Sequence, residues 1–173
     1  PSPSFYERAV AFTELPEDQL LNVSIENAML PIEYFDFITF GAVFEHLYHP
    51  KKCLQNALQW LKPGGLIHIE VPSSNWLIEH IYHVALKLKG SELTSFLSPM
   101  HSPFHLYAFS LNSFKEIEHE LGFKLIDSRI DVCQVMYFPS FMRPLVGKLM
   151  DVTATGMQLT LWLQKQRPAI SLA

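Results

Sequence analysis

The stretch between residues 35 and 72 constrains the fold more than any other part of the chain. It contains two apolar runs of strand length, residues 35–42 (FDFITFGA) and 66–71 (LIHIEV), both rich in β-branched and aromatic side chains. Between them Cys53, Leu54, Ala57, Leu58 and Leu61 recur at helical spacing. A helix is therefore expected, opened by His49-Pro50 and stopped by Pro63-Gly64-Gly65, because proline lacks a donor and glycine accepts left-handed angles. The near-continuous apolar character of 35–42 predicts a strand buried on both faces by helices. The polar pair Glu45-His46 follows that run directly. Ligands gather at the carboxyl ends of strands in a parallel sheet, so this pair is the first candidate for a reactive site.

The flanking segments continue the alternation. Ser2 or Ser4 is expected to cap a short helix with Pro3 in its first turn and Phe5, Ala9 and Phe12 on one face; Leu15-Pro16-Glu17-Asp18 ends it. Residues 20–25 read as a short strand and 27–31 as a loop. Residues 75–89 repeat apolar side chains at helical spacing, with Lys87 and Lys89 near the C-terminal dipole and Gly90 as the left-handed cap. His80 and His83 on that helix are expected to be partly exposed. Residues 91–109 are irregular, and Trp76, Tyr82, Phe96, Phe104 and Phe109 suggest an apolar lid there or its packing on the sheet. A helix over 111–121 starts on Ser110 and stops at Gly122; 123–130 reads as a strand, and 139–150 as a loop or short helix around Pro144. Residues 156–164 alternate apolar and polar, the pattern of a half-exposed antiparallel strand.

Composition narrows the function classes. A chain of 173 residues fits one domain, and 49% hydrophobic with 17% charged residues describes a packed chain, not a disordered one. A net charge of -4 argues against nucleic acid as a partner. No apolar run approaches the roughly 20 residues of a membrane span, so stable membrane insertion is not expected. No signal peptide is visible. Cys53 and Cys133 are too few for a disulfide framework and lack zinc spacing; they read as two buried thiols in a reducing cytosol, which sets the expected localisation as cytoplasmic.

The ordered set Asp36, Glu45-His46 and Lys62-Pro63-Gly64-Gly65 resembles the class I S-adenosylmethionine (SAM) dependent methyltransferases, in the small-molecule subgroup with a Glu-His pair after strand four. The resemblance implies a sheet of order 3-2-1-4-5-7-6 with strand seven antiparallel. Residues 20–25, 35–42, 66–71, 123–130 and 156–164 would be strands three to seven. None of the seven glycines forms the Gly-rich loop that follows the family's first strand. An acid followed by Pro-Ser is common right after the family's second strand, and this chain begins Pro1-Ser2-Pro3-Ser4. The expectation is therefore a single partial methyltransferase domain over residues 1–173. Its class is α/β: a Rossmann-like, mostly parallel sheet with an antiparallel last strand, lacking the first two strands. A helical and loop insert over residues 73–110 would act as a substrate cap. Strand 35–42 would then present an apolar edge, an aggregation hazard.

The resemblance also assigns roles. Asn27, Ala28 and Met29 would lie against the adenine, and Phe40, Gly41 and Ala42 along the methionine part of SAM, where a small residue admits the backbone. Glu45 and His46 would be catalytic. His101, His105 and Tyr107 would belong to a loop covering the substrate. Plainer readings stand beside these: Asn27 as a turn residue, Met29 as core, Gly41 as a turn glycine, His46 as a helix cap and Glu45 as a solvated acid. An imidazole titrating near pH 6.5 can take a hydroxyl or amine proton at neutral pH. Glu45 could orient it, bind a polar substrate group or help to hold a metal. His101 and His105 have a spacing that invites a metal on a helix, but Pro103 lies between them, and no metal site is expected. The function implied for the parent protein, of which this chain is expected to be a truncated part, is transfer of a methyl group from SAM to a small-molecule acceptor at O, N or C, with room for a homodimer. The alternative is a catalytically inactive methyltransferase-like fragment or interaction module. A nicotinamide enzyme fits the Glu-His and Pro-Gly-Gly set poorly.

Overall fold

Near-continuous β-branched and aromatic residues at 35–41 extend into strand β1, Phe35–Gly41. The computed structural model describes residues 2–13, 15–92, 105–133, 135 and 138–167. It adds strands β2 (Leu61–Pro72), β3 (Phe123–Asp131) and β4 (Gln158–Lys165). The helices are α1 (Pro3–Phe12), α2 (Pro50–Trp60), α3 (Leu77–Leu88), α4 (Leu111–Lys115), α5 (Glu118–Leu121) and α6 (Arg143–Val152). The chain divides into two compact units, residues 1–31 and 32–173.

The first unit holds α1, with Pro3 at its start, and a 3-10 turn at Glu17–Gln19. The strand expected over 20–25 does not form. The Asn27 amide N–H donates to the Ser24 carbonyl at 3.0 Å and its side-chain amide donates to Ser24 Oγ at 3.0 Å, closing a turn across the segment. Such local side-chain bonds compete directly with a sheet ladder.

The second unit contains the sheet, in the order β1-β2-β4-β3. β1 and β2 are parallel, while β4 runs antiparallel to both β2 and β3. Three strands therefore share one direction and the last in sequence opposes them. This is the 4-5-7-6 portion of the expected order. Strict alternation sets the core: Ile67, Ile69 and Val71 on β2 and Leu159, Leu161 and Leu163 on β4 are buried, with Phe123 and, from α2, Cys53, Leu54 and Ala57. Each large apolar side chain buried in this way stabilises the fold by about 1.5–3 kcal/mol.

The expected burial of β1 on both faces is not found. Only Phe40 of its seven residues is buried. β1 is an edge strand, and the face carrying Phe37, His68 and Trp162 is half open. There the Phe37 and Trp162 rings stack at 5.9 Å, His68 and Trp162 lie 4.6 Å apart, and Thr39 Oγ1 hydrogen-bonds His68 Nδ1 at 3.0 Å.

Lys62-Pro63-Gly64-Gly65 lies inside β2 instead of preceding it. β2 advances from Leu61 to Leu66 while β1 advances only from Phe35 to Phe37, so the motif forms a bulge. A Cβ on Gly65 would sit 2.8 Å from Leu61 Cγ and 3.0 Å from the Asp36 carbonyl oxygen, so only glycine lets the two backbones approach. Lys62 Nζ reaches both Asp36 carboxylate oxygens at 2.8 and 2.9 Å across the same bulge.

Elsewhere the expected helices form, although Ser2 makes no side-chain cap at α1, and three further corrections apply. Ser110 and Ser113 form a capping box at α4, and Gly122 closes α5 at φ 72°. The single helix expected over 111–121 is broken at Ile117 (φ -100°, ψ -2°) into α4 and α5. His83 is buried, not partly exposed, and Cys133 is exposed while Cys53 is buried. No described helix is long and apolar enough to cross a membrane.

Gly65→Ala is expected to destabilise the chain by about 1–3 kcal/mol in urea unfolding, the usual cost of overpacking. Gly41→Ala is the control. Its Cβ would meet only Glu70 Oε2, at 3.9 Å, and stability should stay within about 0.5 kcal/mol. Equal stabilities for the two variants would refute the bulge constraint.

Candidate active site

The site is built by the way the chain leaves β1. The Ala42 N–H adds one more bond to the ladder, donating to the Glu70 carbonyl at 3.2 Å. Ala42 itself has φ 50°, a left-handed angle that costs a non-glycine residue about 1–2 kcal/mol. That angle turns the chain out of the sheet into a 3-10 turn at Phe44–His46. Phe44 is buried among aromatic rings: Phe40 edge-on at 5.4 Å, Phe109 at 5.3 Å and Phe114 at 5.9 Å. With Phe44 anchored, its neighbour Glu45 is carried inside and is only 2% exposed.

A second segment meets this turn. The Leu106 N–H donates to the Glu45 carbonyl at 2.9 Å, and Tyr107 Oη donates to the Tyr48 carbonyl at 3.1 Å. These bonds bring His105 to Glu45. Glu45 Oε1 lies 3.8 Å from His105 Nε2 and 3.9 Å from His46 Nε2, and the two imidazole rings are 4.8 Å apart. Glu45 Oε2 is buried with no hydrogen-bond partner among the described residues. Burial pushes the Glu45 carboxyl above the usual carboxylate range, against the smaller opposing pulls of its own backbone amide and His46.

Glu45 stands at a cavity of about 450 Å³. Ala42 and Glu45 line it from the end of β1, Glu70 to Ser73 from the end of β2, and Trp76 and Glu79 from the start of α3. His105, Tyr107 and Ala108 contribute from the loop before α4, and Met157 and Gln158 from the entry to β4. The Glu79 carboxyl is also pushed up by burial. Trp76 is shared with a separate apolar cluster containing Ile78, Val146 and Met150.

Of the residues singled out in the sequence, Ala42, Glu45, His105 and Tyr107 line this cavity, and His46 adjoins Glu45. Gly41 is exposed at the end of β1, and Phe40 is buried in the aromatic cluster. Asn27 is tied to Ser24 within the first unit, where Ala28 is half-buried and Met29 is 93% exposed. His101 lies outside the described residues, as do Phe96 and Phe104. Sequence reading missed Glu70, Glu79, Met157 and Gln158. Glu70 had a signal, a lone carboxylate at the end of an apolar strand. Met157 and Gln158 had none, because only the pairing of β2 with β4 brings them here.

Comparison with known proteins follows the same lines. A family model described as a methyltransferase domain matches residues 4–128, well over half of the chain. Among solved structures, a SAM-dependent methyltransferase from Methanosarcina mazei is 14% identical with a TM-score of 0.62, covering 96% of this chain and 80% of that one. One from Mesorhizobium loti is 12% identical with a TM-score of 0.60, covering 95% and 77%. One from Archaeoglobus fulgidus is 15% identical with a TM-score of 0.55, covering 92% and 72%. No curated protein sequence matches. The strand order, the reversed last strand and the family match agree: this chain belongs to the methyltransferase domain family.

Proposed function

We propose that this chain transfers the SAM methyl group to a small-molecule acceptor held in the cavity at the carboxyl ends of β1 and β2, with residues 73–110 as its cap and the cytoplasm as its compartment. The observation that carries this reading is Glu45: a carboxylate 2% exposed, with one oxygen unpartnered among the described residues, at a cavity with apolar walls. A buried polar oxygen left without a donor is costly, and an acceptor bearing O–H or N–H supplies the missing bond. The volume, about 450 Å³, is that of a small-molecule site.

When bound, SAM supplies an electrophilic methyl group on sulfonium. The residues at the end of β1 fit its amino-acid part: Gly41 puts no side chain there, and Glu70 lies alongside to pair with an ammonium. Phe40 and Ala42 would flank that ledge. Methyl transfer needs donor and acceptor held close and in line, so most of the work is positioning. Glu45 and His46 hold the polar group of the acceptor and accept its proton, while His105 and Tyr107 close over it from the cap. Trp76 and the walls from β2 and β4 exclude water.

Glu45→Gln is expected to lower methyl transfer from radiolabelled SAM by about 100-fold or more across hydroxyl- and amine-bearing acceptors. Its melting temperature should not fall, because the swap removes a buried carboxylate that has one oxygen without a partner among the described residues. Undiminished transfer would remove Glu45 from the mechanism.

Glu79 gives a pH test. Its carboxyl is raised in the folded chain, so the protonated form contributes stability that is fully present below the unfolded value of about 4.3 and is lost as pH rises through the folded value. At pH 7 the ionised carboxylate is a net cost. Glu79→Gln should therefore melt above the parent at pH 7, and the gap should close as pH falls toward 4. A gap that widens on acidification would contradict the burial of this group.

A further inference from the structure

We propose that Glu45, His46 and His105 form a binding site for a divalent cation of the zinc class. Three side chains of ligating type converge from two segments distant in sequence. One ligand atom from each lies within 4.8 Å of the others. Glu45 Oε1 is 3.8 and 3.9 Å from the two imidazole Nε2 atoms. Those distances are too long for hydrogen bonds, which fall near 2.7–3.2 Å. They are close to the spacing of neighbouring ligands around a shared ion, about 3.4 Å for bonds of about 2.1 Å at tetrahedral angles. The widest pair, within 4.8 Å, needs to close by at most about 1.4 Å to reach that spacing, within the reach of side-chain rotation.

The second observation is the state of the carboxylate. Glu45 is 2% exposed, and its Oε2 has no hydrogen-bond partner among the described residues. A buried carboxylate is stable when it is paired or coordinates a metal. Two imidazoles and one carboxylate select a borderline divalent ion such as zinc, cobalt or ferrous iron over magnesium or calcium, which prefer oxygen alone. Three protein ligands leave a coordination position open, the arrangement of catalytic sites. Glu45 and His105 both line the cavity, so the open position faces it. The role of the ion rests on the acceptor reading above: it would hold an oxygen of the acceptor, favouring hydroxyl-bearing molecules over amines. Glu45 and His46 would then act on that oxygen through the ion.

The test needs no methyl transfer. The purified chain is stripped with chelator and titrated with Zn²⁺ by equilibrium dialysis and with Co²⁺ by visible absorption and proton NMR. The expected result is one equivalent bound at micromolar concentration. The parent chain should also show two hyperfine-shifted imidazole N–H resonances with Co²⁺, out of eight histidines, a readout that does not depend on any variant folding. Glu45→Gln and His105→Asn, checked for cooperative melting, should each weaken zinc binding by about 100-fold or more, beyond the cost of losing an outer-shell partner. No stoichiometric binding, unchanged affinity in both folded variants, or a cobalt spectrum without two shifted imidazoles would each overturn the site. A chain that binds zinc here but methylates no acceptor would overturn the acceptor reading alone; one that methylates without binding zinc would overturn the metal site alone.

Discussion

Everything at the reactive end of this molecule depends on how Phe44 is seated. A left-handed residue after β1 is unfavourable by itself, and Ala42 has no glycine-like freedom to soften it. The compensation comes from the ring of Phe44 among Phe40, Phe109 and Phe114. Burying that side chain outweighs a backbone cost of about 1–2 kcal/mol. Glu45 is drawn inside as a consequence of its neighbour's burial. Hydrophobic packing thus sets a carboxylate where its own hydration would never take it.

The same logic of close backbone approach operates at the opposite end of the β1–β2 pair. Gly65 lets β2 bulge against β1, and Asp36 and Lys62 meet across the bulge. That ion pair is exposed, so it contributes at most about 1 kcal/mol. Steric permission at Gly65 matters more. The motif that reads as a helix stop is a device for setting the parallel register, and the register aligns the carboxyl ends of the two strands that form the cavity.

Much of this was legible in the sequence because local periodicity carries it. The alternation of Leu159, Leu161 and Leu163 and the helical spacing of Cys53, Leu54, Ala57 and Leu58 survive intact as buried faces. The caps at Ser110 and Gly122 were equally readable. What failed depended on tertiary environment. An apolar run implies burial only if something covers both faces, and β1 lies at an edge. Residues 20–25 have strand-like composition, but a turn closed by Ser24 and Asn27 wins. At the site, Glu45 and His46 were visible because they follow a strand. The partnership of His105 with them was not, since spacing pairs it with His101 while the fold joins it to Glu45. Glu79 and Gln158 reach the cavity through helix placement and strand order, which no local pattern encodes.

Trp76 has two neighbourhoods at once. It lines the cavity, and it also belongs to the cluster that packs α6 through Val146 and Met150. A molecule settled against it would sit beside a fluorophore whose other neighbours include a helix outside the described cavity wall.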